Sequence, residues 1–366
     1  MNDDETLEWP AIASAHGHAF QRALRGRAQR ARGSFWSWRG LMYALAERAT
    51  PEDLYAIARF AYAELAQSGV TAIGEFHYMH HQPDGTPYAE RTLLADTMIR
   101  AARDAGLRIT LLRVLYARAG LGRAPEAAQR RFFDARVEDA LGDVQALRDR
   151  YRDDEHVRVG VAPHSVRAVP IEWIEEAARF ARAEGLVLHM HVSEQRREIQ
   201  ECLAEHGLRP VELLADRGAL GPDFCAVHAT HLTQSEIALL RDVSVCVCRT
   251  TERDLGDGAP PIGPLVAAGA RLCIGVDSHA ASDPFEEARA IELDERTRTE
   301  QRAIVDASVL ALAMGEHGYR AIGMASTGDR VLLDANDASL AGHDRALVED
   351  AVVFGAGPRA VREVWV

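Results

Sequence analysis

The sequence predicts a (β/α)8 barrel, and three observations carry that prediction. Short apolar runs alternate with longer helical patterns through nearly the whole chain. The runs are continuously apolar, as strands of a parallel sheet buried on both faces are. Four of them end in metal-binding side chains: 11–15 in His16-Gly17-His18, 186–188 in His189-Met190-His191, 224–227 in His228, and 272–276 in Asp277-Ser278-His279. Periodicity does not demand such residues at strand ends, whereas a barrel with its site at the C-terminal rim does.

The first strand is 11–15, and strands follow at 70–75, 109–115, 157–162, 186–192, 224–229, 243–248 and 272–277, eight in all. Helical patterns lie between them at 51–67, 88–105, 170–184 and 235–241, several opened by proline or a capping residue. Residues 19–50 read as an unusually long loop carrying Phe35-Trp36-Ser37-Trp38-Arg39, the kind of loop that serves as a lid or binding element over a barrel mouth. After Gly318 the helical periodicity fades, and β-type pieces at 330–334, 351–354 and 361–366 suggest a small β appendage. The expected division is a barrel over 1–318 and a C-terminal β segment over 319–366, with no repeat and no linker between independent halves.

With 366 residues, 47% hydrophobic and 27% charged, the chain can bury a large core as a globular protein. A net charge of −13 argues against a nucleic-acid partner bound through a broad basic surface, although local arginines can still hold an anionic substrate. No uncharged apolar window reaches the ~18–20 residues of a membrane helix. The acidic start, Met1-Asn2-Asp3-Asp4-Glu5, lacks a signal-peptide layout. Cys202, Cys225, Cys246, Cys248 and Cys273 are sparse and irregular and read as small core residues, which fits a reducing cytoplasm. All 42 basic residues are arginine. The absence of lysine excludes a Schiff-base lysine, a phosphate-loop lysine and a lysine carbamate bridging two metals, so one ion is expected.

Histidines two apart on an extended segment share a face, so His16 and His18 can grip one ion. With His191, His228 and Asp277 at the ends of the fifth, sixth and eighth strands, the set suits a catalytic divalent metal that keeps an open position for water. This pattern resembles the amidohydrolase superfamily in its single-metal form. The stretches HGHAFQRA (16–23), FWSWRGLMY (35–43), EFHYMHH (75–81), PDGTPY (83–88), PHSVRAV (163–169), HMHVSEQ (189–195), VHATH (227–231), TTERDLGDG (250–258) and GVDSH (275–279) are similar to the formimidoylglutamate deiminase family within it. Those enzymes convert N-formimino-L-glutamate and water to N-formyl-L-glutamate and ammonia.

The resemblance implies metal ligands at His16, His18, His191 and Asp277, and a catalytic histidine at His228, which is otherwise a fifth ligand. Asp277 can both touch the metal and accept a proton from water. Glu194 would carry protons to the departing nitrogen, its alternative being an ordinary helix N-terminal glutamate. Gln21 would contact the formimino group. Arg39, Tyr78, His164 and Arg167 would anchor the two substrate carboxylates, since arginine's planar fork binds a carboxylate bidentately; otherwise the arginines are surface charges. His77, His80, His81, His231 and His279 read as supporting or loop histidines.

Zinc is the default for three histidines and an aspartate, with iron or manganese as alternatives. Many relatives are dimers, and a homodimer is expected by analogy alone. Family members carry some tens of residues before the HxH motif, where this chain has 15, so the β appendage is expected to be reduced. Arg249 stands where proline is more usual. Two other readings stay open: a deaminase of a ring amidine such as cytosine, guanine or adenosine, and a non-catalytic relative.

Overall fold

The computed structural model describes residues 6–29, 33, 35–326 and 328–366. One strand, β1 (Thr6–Pro10), lies outside the barrel. The apolar runs then form β2 (Ile12–Gly17), β3 (Val70–His77), β4 (Arg108–Leu115), β5 (Val157–Pro163), β6 (Leu188–Val192), β7 (Phe224–His228), β8 (Ser244–Val247) and β9 (Arg271–Ile274). They pair in that order, all parallel, as a (β/α)8 barrel requires.

The seam between β9 and β2 is closed by backbone bonds. The amides of Val276 and Asp277 donate to the His16 carbonyl at 3.0 and 3.1 Å, and the His18 amide donates to the Asp277 carbonyl at 2.8 Å. Gly275 permits this approach, because a Cβ there would sit 2.8 and 2.9 Å from the Sγ atoms of Cys246 and Cys248. The same bonds that close the barrel therefore bring His16, His18 and Asp277 to one point on its rim.

Helices cover the outside. Thr50 and Asp53 form a capping box at the start of Pro51–Gln67, whose Leu54, Ala58, Ala61, Tyr62 and Leu65 make one buried stripe. Residues 19–50 are not a plain loop. They contain a 3-10 turn at Ala19–Leu24 and a helix at Phe35–Arg48, so Arg39 sits on a helix. Phe35, Met42, Tyr43 and Ala46 recur at helical spacing and are buried, and that packing decides the local conformation.

Residues 351–354 also differ from the strand expected of them, lying in the helix Val348–Gly355. Glu349 and Asp350 occupy its first turn, where acidic side chains complement the helix dipole, and Val352 and Val353 are buried. The appendage is a three-stranded antiparallel sheet, β1 with β10 (Arg330–Asp334) and then β11 (Val361–Trp365). Its first strand thus comes from the N-terminal segment rather than from the C-terminal one. No helix among the described residues is long and apolar enough to cross a membrane.

Candidate active site

His16 lies near the end of β2, with His18 one residue past it. His191 lies on β6, and Asp277 follows β9. His16 Nε2 is 3.2 Å from His191 Nε2 and 3.5 Å from Asp277 Oδ1, and His18 Nε2 is 3.2 Å from the same oxygen. One donor atom from each of the four residues falls within 4.8 Å of all the others, so the group could hold a metal ion. Their chemistry fits that use. His18 Nδ1 donates to the Phe76 carbonyl at 2.9 Å and His191 Nδ1 to the His164 carbonyl at 3.1 Å, which leaves both Nε2 lone pairs facing inward. Burial lowers His16 to about 3 and takes His191 well below its ordinary value, so both imidazoles are neutral, the form that binds metals. Burial opposes ionisation of Asp277, but its contacts with His16 and His18 hold it well below the usual carboxylate range.

His228 ends β7 and stacks on His191, the ring centroids 5.4 Å apart. Its Nδ1 is 3.2 Å from Glu252 Oε1, while its Nε2 is 3.9 Å from Glu194 Oε1 and 3.8 Å from Asp277 Oδ2. Burial would lower its pKa, but the carboxylates of Glu194, Glu252 and Asp277 outweigh burial and raise it to about 10. Burial raises the Glu194 carboxyl, with His228 opposing. The backbone at the rim is strained: Ser193, His228, Ala229, Asp277 and His279 have φ of 53, 71, 50, 45 and 55°, a region non-glycine residues seldom adopt.

A cavity opens above these groups, lined by His18, Gln21, Arg39, Tyr78, His164, Arg167, His191, Glu194, His228 and Asp277. His16 lies beneath it, fully buried. Gln21 Nε2 donates to Tyr78 Oη at 2.6 Å. Arg39 lies over the rings of Trp36 and Tyr43, at 4.7 and 5.2 Å, and makes no ion pair among the described residues. Arg167 is 5% exposed, its Nε and Nη1 have no hydrogen-bond partner, and it faces the rings of Phe35 and Trp36 at 5.8 and 5.6 Å.

His77, His80, His81, His231 and His279 lie outside the four-residue cluster. Arg249, unexplained by the sequence, bonds Glu252, the carboxylate behind His228. The cavity's apolar and phenolic wall contains Phe35 and Trp38 of the segment expected to cover the barrel mouth; sequence reasoning missed Glu252 and the rest of that wall, Met42, Tyr43, Tyr116 and Phe132. The signal for part of that wall is the i, i+3, i+7 spacing of Phe35, Trp38 and Met42, which marks one helical face.

Known proteins share this architecture. The sequence is 38% identical over 98% of this chain to the formimidoylglutamate deiminase of Pseudomonas aeruginosa, covering 83% of that protein. It is 30% identical over 75% of the chain, and 60% of the relative, to an 8-oxoguanine deaminase from the same species. A crystal structure of an amidohydrolase from Brucella melitensis superposes with a TM-score of 0.91 at 34% identity, covering 98% of this chain and 83% of that one. The profile of the amidohydrolase family matches residues 9–329, which span the barrel and its rim. With that match added to the closed barrel and its cluster of histidines and aspartate, the chain belongs to the amidohydrolase family.

Proposed function

We propose that this protein hydrolyses N-formimino-L-glutamate to N-formyl-L-glutamate and ammonia, a step of histidine breakdown, using one divalent ion, by default zinc. Arg167 carries this reading. It is a buried guanidinium with two unpartnered nitrogens, and an unpaired buried charge is costly until an anion reaches it. With Arg39 also free of carboxylates among the described residues, the cavity offers two cations to two carboxylates. A neutral ring amidine uses neither. The identity to a formimidoylglutamate deiminase points the same way. The five free, buried thiols suit a reducing cytoplasm.

In this reading His16, His18, His191 and Asp277 hold the ion. When bound, such an ion acidifies water at its open position, towards a pKa of ~7. Asp277 takes the proton of the attacking water, and His228, kept protonated by the carboxylates around it and 3.8 Å from Asp277, relays protons onward. Glu194, 3.9 Å from His228 Nε2, passes a proton to the amino nitrogen, which leaves as ammonia. Gln21 and Tyr78, bonded to each other, orient the formimino group. Arg39, Arg167 and His164 hold the carboxylates, fixing the carbon under attack. Ammonia release from formiminoglutamate, with cytosine and guanine in parallel, tests the reading: only the first should react. Elemental analysis should find about one equivalent of metal, and two ions in one site would contradict the mononuclear form.

A further inference from the structure

One wall of the cavity contains two phenols whose hydrogen bonding is controlled from behind. Gln129 is completely buried and does not line the cavity. Its Oε1 accepts the backbone N–H of Glu126 at 3.2 Å, which fixes the orientation of the amide. Its Nε2 therefore has only donors to offer, and it donates to Tyr43 Oη at 2.8 Å and to Tyr116 Oη at 2.7 Å. A phenol oxygen that accepts from Gln129 keeps its own O–H free to point elsewhere. The two hydroxyls also bond each other, so one O–H is spent within the pair and the other is left for the cavity that both tyrosines line.

A chain of rings locates these phenols relative to the reacting end. His18 contacts Tyr78 at 5.1 Å between centroids, and His191 contacts His164 at 4.9 Å. The next contacts outward are Tyr78 with Phe132 at 5.1 Å and His164 with Tyr116 at 4.8 Å, and Phe132 then reaches Tyr43 at 5.9 Å. Tyr116 is thus two rings from a proposed ligand and Tyr43 three. A substrate with its amidine carbon at the cluster reaches that wall with its far end. Arg39 lies over the Tyr43 ring and supplies a cation there.

We propose that Gln129 is a positioning residue that makes the bonded Tyr43–Tyr116 hydroxyl pair a hydrogen-bond donor to the distal carboxylate of the substrate. The inference rests on the dicarboxylate reading of the site and adds the selector for the second carboxylate. Burial raises the Tyr43 phenol above its ordinary value, so it keeps the proton it would donate.

The test uses the metal-loaded enzyme and two probes, glutarate as a bare dicarboxylate and butyrate as its monocarboxylate counterpart. Tyr43→Phe and Tyr116→Phe keep the rings and remove the donors. Each should weaken glutarate binding and raise KM for formiminoglutamate by about tenfold, since a hydrogen bond to a charged group is lost, with kcat and butyrate binding little changed. Gln129→Glu keeps the shape but can only accept, so both phenols would turn their protons away from the cavity, with a loss at least as large. In the Tyr43→Phe/Tyr116→Phe background, Gln129→Glu should add little, because its effect runs through the two hydroxyls. If Gln129→Glu misfolds, the two phenylalanine variants decide the matter alone. Unchanged glutarate binding in both, a full additional loss from Gln129→Glu in the double background, or a wild type that does not prefer glutarate to butyrate overturns the proposal. A wild type that releases no ammonia but shows the glutarate pattern removes the deiminase reading and leaves this inference standing.

Discussion

The two ends of the barrel interior are made from the same strands and behave in opposite ways. At the closed end, three strand side chains bond backbone carbonyls. Thr71 Oγ1 donates to the Ile12 carbonyl at 2.7 Å, Thr110 Oγ1 to the Ile322 carbonyl at 2.6 Å, and His189 Nε2 to the Ala321 carbonyl at 2.7 Å. At the open end, Gln21 Oε1 and two nitrogens of Arg167 are buried without partners, and five non-glycine residues hold left-handed backbone. His189 and His191 make the contrast sharpest, being two residues apart on β6 and on the same face. One serves the fold through a carbonyl. The other stands 3.2 Å from His16 Nε2 and is free to serve a ligand. Unpartnered polar groups and strain lower stability unless something binds them, so the bare Arg167 nitrogens and the five left-handed rim residues mark the open end as the part built for function.

The largest expected effect comes from removing one side of that contrast. His191→Ala should lose both bound metal and turnover, measured by elemental analysis and ammonia release. Next, His228→Ala should lose turnover while keeping most of the metal, because the residue faces Glu194 and Asp277 and is proposed as the proton carrier. If it empties the site as well, His228 belongs among the ligands.

At the closed end, His189→Leu strands the Ala321 carbonyl and should cost about 1–3 kcal/mol by denaturant unfolding, with activity per bound metal unchanged. A loss of activity without a loss of stability would erase the distinction between the two ends. The smallest effect is expected from Arg136→Gln, which breaks an exposed pair with Glu138 and should leave the midpoint of thermal unfolding where it was.

The same contrast marks what can be read from the sequence. Strands and rim histidines are legible because a buried parallel strand is a local apolar run, and because HxH places both rings on one face of it. Gly275 and Asp277 could be placed on the rim for the same reason. The helix Phe35–Arg48 is less legible, since its burial stripe depends on packing against the barrel mouth that residues 35–46 do not encode alone. Residues 351–354 favour strand by composition, and the burial of Val352 and Val353 on a helix overrides that preference. Strand β1 pairs Thr6 with Asp334, a contact between distant parts of the chain that no local pattern announces. Gln129 and Glu252 are silent in the sequence for a related reason: each acts by touching a residue far away in the chain, Tyr43 in one case and His228 in the other.

The central claim is that the open end is built for a substrate with carboxylates, and the most direct measurement is kcat/KM for formiminoglutamate with Arg167→Met. Methionine keeps much of the bulk and removes charge-assisted bonds worth ~1.5–3 kcal/mol. The account predicts a roughly ten- to hundredfold drop at unchanged metal content. An unchanged kcat/KM, with Arg39→Met equally silent, would mean that the carboxylates bind elsewhere and would contradict it.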